Sequence, residues 1–240
     1  MTAPRLLDSG EAALVAEFGD RVDPAISDRV LALDDALRAD PPEGLRETVP
    51  TYRSLMIHYD PLVLDRETLA ARVRDLAQQW PGQVRHTGAA WILPCCYDPV
   101  CAEDIAAVAE AVGRPVEEVV ALHSGARYRV YMYGFAPGFA YLGGLPPELA
   151  LPRRKAPRPP HPANALMIGG GLAAVASVPM PTGWYVIGRT PERLYAPARE
   201  NPFPVAVGDT LRFEPVDAAT FARLDARAEA GEPVRRREAA

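Results

Sequence analysis

At 240 residues, 48% hydrophobic and 24% charged, the chain has room for one large domain or two small ones, each with a buried core. A net charge of −5 argues against a nucleic-acid binder, and no apolar run approaches the ~20 residues needed to span a bilayer. Met1-Thr2-Ala3-Pro4-Arg5 lacks the apolar stretch of a signal peptide, so the expectation is a cytoplasmic protein that binds neither nucleic acid nor membrane.

The first third alternates strand and helix patterns. Ala12 to Phe18 is apolar and strand-like. Asp23 offers an N-cap and Pro24 a first helical position, and Ile26, Val30, Leu33 and Leu37 follow at helical spacing. Leu55, Ile57 and Tyr59 alternate with Met56 and His58 as in a strand. A second helix is expected from Arg66 to about Trp80, with Leu69, Val73, Leu76 and Trp80 on one side and Pro81-Gly82 as its stop. This β-α-β-α order predicts a small α/β domain over residues 1–85, with helices on one face of a sheet.

Residues 86–228 change in character. Trp91 to Pro94 reads as a short strand. Asp98-Pro99 is expected to open a helix that Gly113 ends, and Arg114-Pro115 another that reaches about Leu122. From Tyr128 onward Gly and Pro are dense, strands are short, and no long helical period returns until Ala218. Val205 to Phe213, with Gly208-Asp209 inside it, reads as a hairpin. Many short strands with Gly/Pro turns predict a β-barrel or sandwich, so the class is α+β. The charged tail, 229–240, is expected to fray.

Cys95, Cys96 and Cys101 are odd in number and confined to one segment, which does not suit a disulfide framework. Adjacent Cys95 and Cys96 point to opposite faces of a strand and lack zinc-site spacing, so reduced, partly buried thiols and no metal are expected.

The densest functional signal is Gly134-Phe135-Ala136-Pro137-Gly138-Phe139-Ala140-Tyr141-Leu142-Gly143-Gly144-Leu145-Pro146. Glycine lets backbone approach a ligand closely, and aromatic rings beside it form a rigid apolar wall. Next comes the stiff basic stretch Pro152 to Pro162, carrying Arg153, Arg154, Lys155 and Arg158, whose guanidinium forks suit a carboxylate or phosphate. Ile168-Gly169-Gly170-Gly171-Leu172-Ala173-Ala174 imitates a dinucleotide fingerprint, but β-like residues ending in Pro179 follow where a helix is required, so it reads as a Gly-rich barrel bend. Pro181-Thr182-Gly183-Trp184 delivers a tryptophan onto a strand that Gly188-Arg189 ends. Trp184 is expected in a core or pocket wall, and Arg189 at a ligand anion or a loop.

His58, His86, His123 and His161 are scattered without metal or catalytic spacing and read as structural. Asp98, Asp104 and Asp209 are explained as caps or turns. No Walker A or G-x-S-x-G sequence occurs. No self-sufficient active site emerges, and no catalytic residue is identified.

These stretches together resemble the allophanate hydrolase subunit 1 family. Pro50 to Leu55 with His58-Tyr59-Asp60-Pro61 is similar to its N-terminal motif. Ala121 to Ser124, the Gly134–Pro146 run, Pro152-Arg153-Arg154 with Pro157-Arg158, and Gly183-Trp184 with Ile187 to Pro191 follow in order. The resemblance covers nearly the whole chain. It implies an N-terminal α/β domain before a cyclophilin-like β-barrel. It implies one component of a heteromeric, ATP-dependent 5-oxoprolinase-type hydrolase acting on a small lactam, amide or urea-like substrate. The implied partners are a second cyclophilin-like subunit, of the allophanate hydrolase subunit 2 type (in 5-oxoprolinase, the C component), and a LamB-like third. ATP would act at the level of the complex, and the groove would be completed by the partner. Substrate or partner would then meet Phe135, Pro137, Gly138, Phe139, Tyr141, Arg153, Arg154, Arg158, Gly183, Trp184 and Arg189. The family also holds an inhibitor of a sensor histidine kinase and carboxyltransferase parts of urea carboxylase, which supply the alternative readings.

The chain departs from the family pattern at one place. Where members commonly read V-P-A-G-S-V and I-A-G-x-Q-T-G, it has His161-Pro162-Ala163-Asn164-Ala165-Leu166 and Ile168 to Ala174. Asn164 can hold the left-handed turn, whereas Ala165, Leu172 and Ala173 replace polar groups, which alters ligand choice more than fold.

Overall fold

The computed structural model describes residues 3–79 and 88–238. Trp80, Pro81-Gly82, His86 and the expected boundary near residue 85 lie outside the described residues. The chain divides into two compact units, Met1–Thr87 and Gly88–Ala240.

In the first unit, β1 (Arg5–Asp8), β2 (Ala13–Glu17), β3 (Leu45–Pro50) and β4 (Ser54–Tyr59) form an antiparallel sheet in the order β1-β2-β4-β3. Helices α1 (Pro24–Ala39) and α2 (Arg66–Gln78) follow β2 and β4. Asp23 caps α1 by accepting from the Ala25 amide at 2.8 Å, and Asp65 caps α2 through the Glu67 and Thr68 amides. Leu14, Ala16, Leu55, Ile57 and Tyr59 bury one sheet face against Val30, Leu33, Leu37, Leu69 and Val73. The sequence reading lacked β1 and β3. Both are edge strands with mostly polar or exposed residues, so apolar alternation is weak there, and Pro50 is tolerated because an edge needs fewer donors.

The second unit is a closed barrel. Its strands are β5 (Ala90–Cys96), β6 (Tyr128–Tyr133), β7 (Ala140–Gly143), a separate β8 (Arg158–His161), β9 (Ala165–Gly169), β10 (Leu172–Val175), a separate β11 (Met180–Thr182), β12 (Tyr185–Arg189) and β13 (Thr210–Val216). The ladder runs β12-β9-β10-β7-β6-β13-β5, and β5 pairs back to β12 through Cys96 and Arg189, closing seven strands. Helices α3 (Ile105–Val112) and α4 (Val116–Gly125) precede β6, and α5 (Ala218–Glu229) follows β13. Leu93, Tyr128, Val130, Leu142, Leu166, Ile168, Val175, Ile187 and Phe213 fill the core. Gly170 and Gly171, at φ 63° and 76°, make the tight β9–β10 turn, so the fingerprint-like glycines are a hairpin corner.

Three expectations are corrected. Val205 to Phe213 is not a hairpin: only β13 is strand, and it lies parallel to β5. Asp209 instead accepts from the Ala89 and Ala206 amides and the Trp91 indole at 2.7–2.9 Å, so its carboxylate ties its own turn to the segment that enters β5. The third helix starts at Ile105 and not at Asp98, whose carbonyl accepts from Cys101 and Ala102 in a turn and whose carboxylate accepts from the Ala218 amide. The described part of the tail, to residue 238, is tied down rather than frayed: β14 (Arg236–Arg237) pairs with β5. The carboxylate of Glu192, fully buried, accepts from the Val234 and Arg235 amides and from Arg199. Arg235 and Arg237 both lie over the Trp91 ring.

Candidate functional site: an aromatic trough on the outer face of the barrel

Strand alternation sorts four adjacent strands into two faces. In β9, Leu166 and Ile168 face the core while Ala165 and Met167 belong to a second cluster. In β10, Ala173 and Val175 face in, and Ala174 with Leu172 faces out. In β7, Ala140 and Leu142 face in and Tyr141 out, with Phe139 just before the strand on the outer side. Along β12, Ile187 faces in and Val186 out, with Trp184 just before the strand also outside. The order β12-β9-β10-β7 therefore puts small or flexible residues in the two middle strands and aromatics on the two flanks. The result is a filled trough: an alanine-methionine floor lies beneath Phe139, Tyr141 and Trp184, and Phe139, Ala165, Met167, Ala174, Trp184 and Val186 are all buried.

The glycine-aromatic run builds one wall. Phe135 takes φ 70° and is 78% exposed, a strained conformation for a bulky residue. Its ring meets Phe139 edge-on with centroids 5.7 Å apart, Phe139 meets Tyr141 at 4.8 Å, and Tyr141 meets Trp184 at 6.3 Å. Gly138 has φ 73°, and a Cβ there would lie 2.3 Å from Tyr195 Cβ, so only glycine fits. The Pro137 carbonyl accepts from the Ser177 hydroxyl. Burial raises the Tyr141 phenol pKa, and Arg153 offsets part of that. Arg153, exposed, stacks over Trp184 at 5.3 Å.

The remaining predicted residues separate from the trough's aromatic wall. Arg154 donates to Asp104 Oδ1 at 3.0 Å, and Arg158 to Asp104 Oδ2 at 3.2 Å and to Glu103. The Asp104 carboxylate also accepts from the Val186 amide at 2.8 Å. Two of the four cations expected to hold an anion are therefore neutralised internally, and Asp104 holds the N-cap position of α3 by its backbone while its carboxylate serves as a bridge. Gly183 contributes its carbonyl to the Arg154 amide at 2.8 Å. Arg189 donates to the Ala163 carbonyl and stacks over Phe221 at 5.0 Å, beside the buried Cys96 and Cys101. Burial pushes the Cys101 thiol up to about 12, which makes it a poor nucleophile.

Of the departures from the family pattern, Ala165 and Leu172 face the trough, whereas Ala173 faces the core. Asn164 holds φ 60° and is buried, so the expected left-handed turn is present. His123 is buried against Phe213 and Tyr128, with Nδ1 2.8 Å from the Tyr97 hydroxyl, and burial lowers its pKa to about 3, as suits a structural histidine. Asp104 and Glu192 were missed as hubs, because a lone carboxylate carries no spacing signal; only its partners in space reveal it. In the first unit, Phe18, Arg29, Leu33, Ala36 and Leu76 line a recess of about 140 Å³, with Arg29 stacked on Phe18 at 4.7 Å.

Known proteins place this closed seven-strand barrel among carboxyltransferase domains. The model of the family described as carboxyltransferase domain, subdomain C and D, matches residues 4–205, and the chain belongs to that family. It is 34% identical over 209 residues to the B subunit of 5-oxoprolinase from Escherichia coli O157:H7, covering 86% of this chain and 93% of that protein. It is 30% identical over 218 residues to the B subunit of 5-oxoprolinase from Bacillus subtilis (strain 168), covering 85% and 89%. The crystal structure of TTHA0988 superposes with a TM-score of 0.77 at 36% identity over 86% of this chain, which spans 40% of that one. The urea amidolyase of Kluyveromyces lactis shares the fold at 16% identity, with a TM-score of 0.78 over 98% of this chain and 16% of that one. No helix among the described residues is long and apolar enough to cross a membrane.

Proposed function

We propose that this chain is a non-autonomous subunit of an ATP-dependent 5-oxoprolinase-type hydrolase acting on a small lactam, amide or urea-like substrate. The observation that carries the reading is the 34% identity to a 5-oxoprolinase B subunit over 93% of that protein. The trough supports it in this reading: once opened, its aromatic rings and apolar floor would take a small planar amide group, exclude water and strengthen any hydrogen bond made there. The floor and the rings over it are apolar and aromatic, and in this reading the group that attacks or protonates the substrate comes from a partner subunit.

The trough does not fit ATP. Arg154 and Arg158 are engaged by Asp104 and Glu103, and the sequence has no phosphate-cradling loop. ATP therefore belongs to a partner in this reading. The partners are a second cyclophilin-like subunit and a LamB-like third. A second reading, a carboxyltransferase component, is favoured by the family match over residues 4–205.

Co-purification of the tagged chain from its host, followed by assays with 5-oxoproline, urea and allophanate, tests both. ATP-dependent release of glutamate by the recovered complex, with none from the chain alone, is the expected result. Turnover by the isolated chain, or carboxyl transfer to urea in its place, overturns the first reading.

A further inference from the structure

β8 and β11 form a two-stranded ribbon with no ladder to the barrel. Pro159, Pro160 and Pro181 take three of its seven positions, which removes donors, and only His161↔Met180 and Arg158↔Thr182 pair. Directly opposed residues of an antiparallel pair project to the same face. Met180 packs on the trough cluster, so His161, fully buried, projects to that same side.

The imidazole is singular among its surroundings. Nδ1 lies 2.7 Å from the Pro162 carbonyl oxygen, which can only accept, so Nδ1 carries the proton and Nε2 a lone pair. Nε2 is buried with no partner among the described residues. Burial lowers the ring's pKa and Arg158 adds to this, while the Pro162 bond and Glu103 oppose it. A buried acceptor without a donor calls for an explanation. His161 also stands where the family pattern has valine, beside a floor that has Ala165 and Leu172 in place of polar residues.

We infer that His161 Nε2 is a specificity-determining acceptor for an N–H donor of the substrate, and that the β8–β11 ribbon is the lid that lifts to present it. The inference rests on the amide-type substrate proposed above. A neutral lone pair accepts a lactam, amide or urea N–H and repels a carboxylate oxygen. The lid is latched by Arg158 on Asp104 and Glu103. A lid held by few ladder bonds and charged contacts opens without disturbing the barrel.

The test uses the complex co-purified with the chain, with H161V and H161Q. H161V should raise KM for the lactam or amide about tenfold, leave kcat near the wild-type value and not lower the melting point, since it removes an unpartnered polar atom. H161Q, which offers a carbonyl acceptor, should restore much of the KM. Hydrogen exchange should show the Met180 amide exchanging at least tenfold faster than the β9–β10 amides. An unchanged KM in H161V, with wild-type turnover intact, overturns the inference alone. A melting point lowered equally in both variants overturns it as well, because His161 is then structural. Equal protection of ribbon and barrel overturns the lid. Absence of wild-type turnover of lactam, amide and urea overturns the proposed function, and this inference with it.

Discussion

The rings of Tyr141 and Trp184 meet edge to face with centroids 6.3 Å apart, although β7 and β12 are separated by β10 and β9. Three ladder spacings amount to ~14 Å between backbones, so the two side chains reach toward each other across the strands that carry Ala174 and Met167. The contact crosses the trough rather than lining it. Y141A and W184A should therefore be non-additive, with a coupling of about 0.5–1.5 kcal/mol in a double-mutant cycle read by urea unfolding. Simple additivity would show that the rings do not support each other. W184A alone should cost about 3 kcal/mol, because the ring is largely buried.

Phe135 and Gly138 make opposite predictions from similar backbone angles, φ 70° and 73°. F135G should raise stability by about 1 kcal/mol by relieving left-handed strain, while weakening complex formation or turnover, since an exposed ring is lost. G138A should destabilise by more than about 1 kcal/mol because of Tyr195. Thermal melts of both variants, with co-purification of partners, check the pair.

Arg153 and Arg158 are neighbours in sequence with different consequences. R158A removes one of the two cations on Asp104, which is 13% exposed and keeps Arg154 and the Val186 amide, and should cost about 2 kcal/mol. R153A removes an exposed cation from the Trp184 ring and should change stability by less than about 0.5 kcal/mol while lowering turnover. Equal loss of stability in the two variants would contradict the separation of Arg158 from the trough.

His123 predicts an acid weakness. Its pKa is about 3 in the folded chain against an ordinary value of 6.5. The unfolded chain therefore binds the extra proton between those values, and stability falls as pH drops from 6.5 toward 3, at up to about 1.4 kcal/mol per pH unit from this group. The sign follows from burial, which disfavours the charged ring. Replacing His123 with glutamine should flatten that part of the stability–pH curve; an unchanged slope would assign the acid loss to carboxylates.

Glu192 predicts the fate of the tail. E192Q keeps the shape but loses the charge that holds Arg199 and the Val234 and Arg235 amides. Residues 232–238 should then become sensitive to limited proteolysis while the barrel stays folded. Resistance equal to the wild type would mean that the Trp91–Arg235–Arg237 stack suffices.

Helices α1 and α2, strand β4 and the β9–β10 corner were legible because period, caps and paired glycines are local signals. The trough's aromatics were legible as a run, but the floor was not: Ala165 and Ala174 read only as buried strand until the barrel divides inside from outside. Arg158 looked like an anion ligand because charge is visible in sequence and Asp104, 54 positions away, is not marked as its partner. The hairpin at Val205 to Phe213 failed for a similar reason. A Gly-Asp pair signals a turn, but the Asp209 carboxylate was engaged by Ala89 and Trp91, 120 and 118 residues earlier.

The parallel pairing of β5 with β13, from Ala90–Thr210 through Cys96–Val216, carries a kinetic meaning. The first barrel strand leaves the ribosome with its main partner still some 120 residues away, whereas β6–β7, β9–β10 and β9–β12 join near neighbours. Local pairs form early and distant ones late. The trough is thus assembled on an open sheet, and β5, joined to β12 only at Cys96 and Arg189, keeps its long edge unpaired until β13 arrives. The period of greatest exposure to misassociation falls on an edge outside the four strands that build the trough.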